Sequence, residues 1–178
     1  MSKVAIVGSG LIGRAWAISF ARAGYDVALW DQDPKAPGKA LVYAERLLPN
    51  LEENDLLNGE TASAVGARMR PVARLEAALE GTAYAQESTP EDVEVKRAIF
   101  TSLDPLAAPQ TILASSTSAI LPSTFTEGLK GRSRCLVVHP INPPYLIPAA
   151  EVVPAPWTDP AVASAPPRCY APRDTRRS

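Results

Sequence analysis

Three glycines, Gly8, Gly10 and Gly13, sit between the apolar run Val4-Ala5-Ile6-Val7 and an apolar helical pattern. In that setting glycine lets backbone N–H groups approach a phosphate. Gly8 allows a tight turn, and Gly10 leaves no Cβ between the backbone and a pyrophosphate. Gly13 lets the following helix lie close to the strand. Leu11 and Ile12 complete the loop. Eighteen residues past Gly13 stands Asp31, ending a second apolar run. A carboxylate there accepts hydrogen bonds from a ribose 2′-hydroxyl and repels a 2′-phosphate. Gln32, Asp33 and Pro34 follow it with no arginine, so the pattern favours NAD over NADP. Glycines also gather in ordinary turns, and an acid can simply end a strand. The flanking strand and helix give this spacing its weight.

A second group of polar residues lies farther along: Ser115-Ser116-Thr117-Ser118, His139-Pro140-Ile141-Asn142-Pro143-Pro144, and Glu151. Ser118 and His139 both follow apolar runs that read as strands, and ligands of an open parallel sheet bind beyond the carboxyl ends of its strands. His139 is the only histidine. Its ordinary pKa suits proton transfer near neutrality, and a neighbouring carboxylate would orient the ring. A lone histidine also serves structural roles, and from the residues themselves both readings stand.

These residues need a scaffold, and the hydrophobic periodicity supplies one. The first helix follows Gly13 and stops at Gly24. Asp26–Asp31 reads as a strand, and residues 38–58 as a helix that Pro49 should kink or break. Met69–Val72 is a short strand, Arg74–Glu80 a short helix and Thr82–Glu87 a strand. Ser88-Thr89-Pro90-Glu91-Asp92 reads as a helix start, with a hydroxyl cap, a first-turn proline and acids at the positive end of the dipole. That helix runs to Pro105. Thr111–Ser115 and Leu136–His139 are strands, and Glu151–Val153 is a last short one. Strands alternating with helices specify an α/β, Rossmann-type doubly wound sheet, mainly parallel, with helices on both faces. Residues 1–163 form this domain. Residues 164–178, rich in proline and arginine, read as a disordered tail.

Composition narrows the remaining classes. Hydrophobic content of 46% and charged content of 21% are those of a globular protein, and a net charge of −1 gives no field to recruit nucleic acid or an anionic membrane. No apolar run is long enough to span a bilayer. Cys135 and Cys169 make neither a disulfide framework nor metal-ligand spacing, so no metal is expected. The expected compartment is the cytoplasm.

The chain resembles the 3-hydroxyacyl-CoA dehydrogenase superfamily, and within it the lambda-crystallin / L-gulonate 3-dehydrogenase branch. The resemblance is carried by Val7-Gly8-Ser9-Gly10-Leu11-Ile12-Gly13-Arg14, by Pro90-Glu91-Asp92 with Lys96, and by Ser115-Ser116-Thr117-Ser118. Its most specific piece is His139-Pro140-Ile141-Asn142-Pro143-Pro144-Tyr145 with Glu151-Val152-Val153-Pro154. It implies NAD-dependent oxidation of a 3-hydroxy acid or 3-hydroxyacyl thioester, chemistry of the kind found in fatty acid metabolism. His139 then corresponds to the general base, Glu151 to its orienting carboxylate, and Ser118 to a hydrogen-bond partner of the reacting oxygen beside the nicotinamide. Glu91, Lys96 and Asn142 match cofactor-contacting positions, although Glu91 could simply cap a helix and Asn142 shape its proline loop. A relative of the 6-phosphogluconate type, which uses a lysine base, fits the His–Asn–Pro–Pro loop poorly. The match stops near Ala163, where the family continues into a helical domain that covers the substrate and makes the dimer contacts. The expectation is therefore a truncated, nucleotide-binding part of such an enzyme. The alternative is a catalytically silent NAD-binding module or pseudoenzyme fragment.

Overall fold

The computed structural model describes residues 2–165. The tail expected over 164–178 lies, from 166 onward, outside the described residues. In chain order the elements are β1 (Lys3–Val7), α1 (Leu11–Arg22), β2 (Asp26–Trp30), α2 (Ala36–Glu53), α3 (Ala62–Gly66), β3 (Met69–Pro71), α4 (Leu75–Leu79), β4 (Thr82–Glu87), α5 (Val93–Leu106), β5 (Ile112–Ser115), α6 (Pro122–Thr126), β6 (Cys135–Pro140), β7 (Ala150–Pro154) and α7 (Pro160–Ala163). They build one seven-stranded sheet in the order β3-β2-β1-β4-β5-β6-β7. All pairings are parallel except β6 with β7. The chain winds outward from β1 in one direction and then, from β4, in the other. The carboxyl ends of β1 and β4 therefore meet at the topological switch point, where such sheets bind ligands.

The period of two along β1 divides the core. Val4 and Ile6 face one layer with Trp16 and Phe20 of α1 and Leu48 and Leu51 of α2. Ala5 and Val7 face the other with Leu79, Phe100 and Leu103 of α4 and α5. At the end of α1, Gly24 adopts φ 91°. Its N–H donates to Ala21 and the N–H of Tyr25 donates to Phe20, satisfying the last carbonyls of the helix.

Two local expectations are corrected. Pro49 does not break helix α2, which continues through it to Glu53. An interior proline costs about 3 kcal/mol, but Leu48 and Leu51 on either side are buried, and each such side chain contributes about 1.5–3 kcal/mol. Helix α5 starts at Val93, capped by the Asp92 carboxylate, which accepts from the N–H groups of Glu94 and Val95. Ser88 and Thr89 are drawn away by tertiary partners: Ser88 Oγ meets Ser116 Oγ, and Thr89 Oγ1 donates to Glu87.

Candidate active site

At the end of β1, Gly8 has φ 95°, a conformation other residues rarely adopt. A Cβ there would also lie 2.7 Å from the Ser88 carbonyl. A Cβ on Gly13 would collide with the Gly8 carbonyl, whereas one on Gly10 would have nothing within 4 Å. Two of the glycines thus permit close packing, and the third opens onto empty space. Helix α1 has Gly10 as its N-cap and no side chain capping it, so its first-turn N–H groups face that space. A cavity of about 990 Å³ begins there, lined by the glycine loop with Leu11 and Ile12, by Trp30 and Asp31 after β2, and by Val95 and Ile99 of α5. Its shape and donors fit a dinucleotide phosphate with an apolar bed for a base.

Asp31 borders the cavity and also braces its loop. One carboxylate oxygen accepts the Ser9 N–H at 2.6 Å, and the other accepts the Asp33 N–H at 3.0 Å. Asp33 lies beside it on the cavity wall. The backbone N–H of Lys35 holds the Asp33 carboxyl below its usual range, assisted by Lys39. Two negative groups thus stand at this end.

On the other side of the switch point, an ion pair is buried under the loop. The Lys96 ammonium is 3.0 Å from Glu87 Oε1, with the two side chains 1% and 0% exposed. Glu87 also accepts from the Ser115 hydroxyl at 2.5 Å and from the Thr89 N–H at 2.6 Å. Lys96 is thus buried behind the cavity lined by the glycine loop. Its charge is spent beneath the β4–α5 loop. The sequence reading missed Glu87 altogether, since an acid ending an apolar strand shows nothing of a lysine on the next helix.

Glu91 lies above this pair, with Oε2 3.7 Å from Lys96. Its Oε1 accepts from Thr117 Oγ1 at 2.5 Å and from the N–H groups of Ser118 and Ala119 at 2.9 and 3.0 Å. Burial works against the charged carboxyl. The Thr117 hydroxyl, the two N–H groups and Lys96 outweigh burial and hold the carboxyl below its usual range. Ser118 itself is exposed at the end of β5.

His139 and Glu151 are direct partners in the antiparallel register of β6 and β7, which puts their side chains on one face. Nδ1 of His139 is 3.9 Å from Glu151 Oε2, with the side chains 35% and 71% exposed. That separation suits an ion pair when the ring is charged but exceeds a hydrogen bond. A polar network ties the strands beneath: Ser116 Oγ accepts from Trp16 Nε1 at 3.0 Å and from Gln86 Nε2 at 2.8 Å, and Gln86 also donates to the Val138 carbonyl. Asn142 is exposed on the β6–β7 loop. Tyr145 anchors that loop, its hydroxyl 3.1 Å from that of Tyr43 and its carbonyl accepting from Arg22. Burial, with the Tyr43 hydrogen bond, pushes the Tyr145 phenol up to about 12. Among the described residues no group of three His, Cys, Asp or Glu could hold a metal ion, and no helix is long and apolar enough to cross a membrane.

The strand order, the glycine turn and the open helix end define an α/β dinucleotide-binding domain. Residues 3–169 match the family model of the 3-hydroxyacyl-CoA dehydrogenase NAD binding domain, and the chain belongs to that family. Its cofactor is NAD. A lambda-crystallin homolog of Bos taurus is 44% identical over 169 residues, covering 94% of this chain and 52% of the relative. An L-carnitine dehydrogenase of Streptomyces griseus is 37% identical, covering 95% of this chain and 49% of the relative. The crystal structure of 3-hydroxybutyryl-CoA dehydrogenase from Escherichia coli superposes with a TM-score of 0.86 at 29% identity, covering 92% of this chain and 34% of that one. The chain thus spans about half the length of the curated relatives it matches.

Proposed function

We propose that this chain supplies the cofactor and proton-transfer half of an enzyme that oxidises the 3-hydroxyl of a 3-hydroxy acid or 3-hydroxyacyl thioester. The observation that carries this reading is the direct pairing of His139 with Glu151 at the same end of the sheet as the glycine loop. NAD, when bound, supplies the hydride acceptor. Gly8, Gly10, Leu11, Ile12 and Gly13 receive its pyrophosphate, and Asp31 its adenosine ribose. Ser118, with Glu91 and Asn142, borders the nicotinamide end, and Lys96 supports that end from below.

Glu151 faces Nδ1 of His139. It favours the tautomer protonated there, which leaves Nε2 to take the proton of the substrate hydroxyl. The imidazolium that results stands beside a carboxylate, which lowers the cost of forming it. Ser118 donates a hydrogen bond to the reacting oxygen. Substrate choice among thioester, sugar acid and carnitine-like molecules, a setting in fatty acid metabolism, and dimerisation through the other half of the longer relatives belong to this same reading. The cytoplasm is its compartment, in keeping with the free, buried Cys135.

A specific observation favours a second reading for the chain by itself. His139 and Glu151 are open to water and too far apart for a hydrogen bond, so this half alone would be a silent NAD-binding module. NADH formation across a panel of 3-hydroxy substrates tests both readings. Activity that His139→Gln abolishes supports the first. Activity that survives at the parent rate removes His139 as the base, and no activity in the presence of a complementing helical half leaves the silent module.

A further inference from the structure

We infer that Glu91 is a positioning residue whose carboxylate, braced by the buried Lys96–Glu87 pair, fixes the turn carrying Ser118 and so sets the nicotinamide end of the site. The inference rests on the reading that the nicotinamide half of NAD lies beside Ser118.

A single oxygen, Glu91 Oε1, gathers three donors of the turn: the Thr117 hydroxyl and the N–H groups of Ser118 and Ala119. Three donors on one oxygen need a full negative charge, and that charge is itself held in place. Oε2 faces the Lys96 ammonium at 3.7 Å, and Lys96 is fixed on the fully buried Glu87. Glu87 reaches the same turn from below: it accepts from Ser115 Oγ, which in turn accepts the Thr117 N–H at 3.2 Å. The turn after β5 is therefore clamped above and below by two carboxylates that share one lysine. Thr117 completes the clamp, since its hydroxyl also accepts the Ile120 N–H at 3.1 Å. The adenosine end is braced separately, by Asp31.

The consequence is selective. Losing Glu91 should loosen Ser118 and leave the pyrophosphate loop intact. The test compares binding of NADH and of ADP-ribose, which lacks only the nicotinamide, to the wild-type chain, Glu91→Ala, Thr117→Val and the double variant. Thr117 is 2% exposed and cannot touch a ligand directly. Glu91→Ala is expected to weaken NADH about tenfold, the worth of a charge-assisted hydrogen bond, while changing ADP-ribose by less than about twofold. Thr117→Val should show the same selectivity, and the double variant should be no worse than Glu91→Ala, because both act through one turn. Equal loss of both ligands, no loss of either, or additive effects of the two substitutions would overturn the inference and leave the site reading standing. A wild-type chain that binds NADH no tighter than ADP-ribose would overturn the placement of the nicotinamide, and the inference with it.

Discussion

The two ends of the site are built to different standards. At the adenosine end, backbone contacts are packed to the limit: Gly8 and Gly13 have no room for a Cβ, and Ser9 donates to Asp31 at 2.6 Å. At the reaction end, His139 and Glu151 stand 3.9 Å apart and half open to solvent, beside a loop that exposes Ile141, Leu146 and Ile147. The first arrangement holds a ligand with what this chain contains. The second has the right groups in register without the enclosure that makes electrostatics strong. The difference teaches that cofactor grip and catalysis are separable within one domain. The first is written in backbone geometry, while the second depends on what covers it.

Substitutions can break or sharpen that contrast, and their expected effects differ in size. Lys96→Met removes the pin beneath the nicotinamide end. It leaves the buried Glu87 without its cation, so chemical denaturation should show a loss of about 3–5 kcal/mol. Gly13→Ala breaks only the adenosine end. Its Cβ meets the Gly8 carbonyl, and a melt should register about 1–3 kcal/mol of overpacking together with lost NADH binding. Asp92→Ala, which removes the true cap of α5 between the two ends, should cost about 1 kcal/mol. His139→Gln touches only the open end and should leave stability within about 0.5 kcal/mol and NADH affinity unchanged, a result that a shared, tightly coupled site would not give.

Acid should also separate the ends. The folded-state pKa of Glu91 lies below its ordinary value of 4.5. Its contribution is therefore complete above that value and is lost as pH falls through the folded one. The protection of the Ser118 and Ala119 amides, relative to their intrinsic exchange at each pH, should fall over that acid range before the core opens. Protection that persisted below it would mean that the turn does not depend on the carboxylate.

Much of this was readable in the chain. The strands announce themselves through short apolar runs and the long helices through their stripes, because burial on a sheet imposes periods of two and 3.6. The strand at Glu151–Val153 was legible as well, but its antiparallel register with β6 is set by the fold. What escaped was decided by tertiary contact. The four- and five-residue helices α3, α6 and α7 are too short for a periodic signal. Helix α2 survives Pro49 because its neighbours are buried. Ser88 and Thr89 look like caps until Ser116 and Glu87 claim them. The carboxylate that Lys96 pairs with comes from the preceding strand, a contact only the fold creates.

This half should grip NAD by itself, with Asp31 and Asp33 repelling any 2′-phosphate. Calorimetric titration of the wild-type chain with NADH and with NADPH tests it most directly. NADH is expected to bind at least about tenfold tighter than NADPH, a difference of about 1.4 kcal/mol. Equal affinities, or no binding of either, would contradict it.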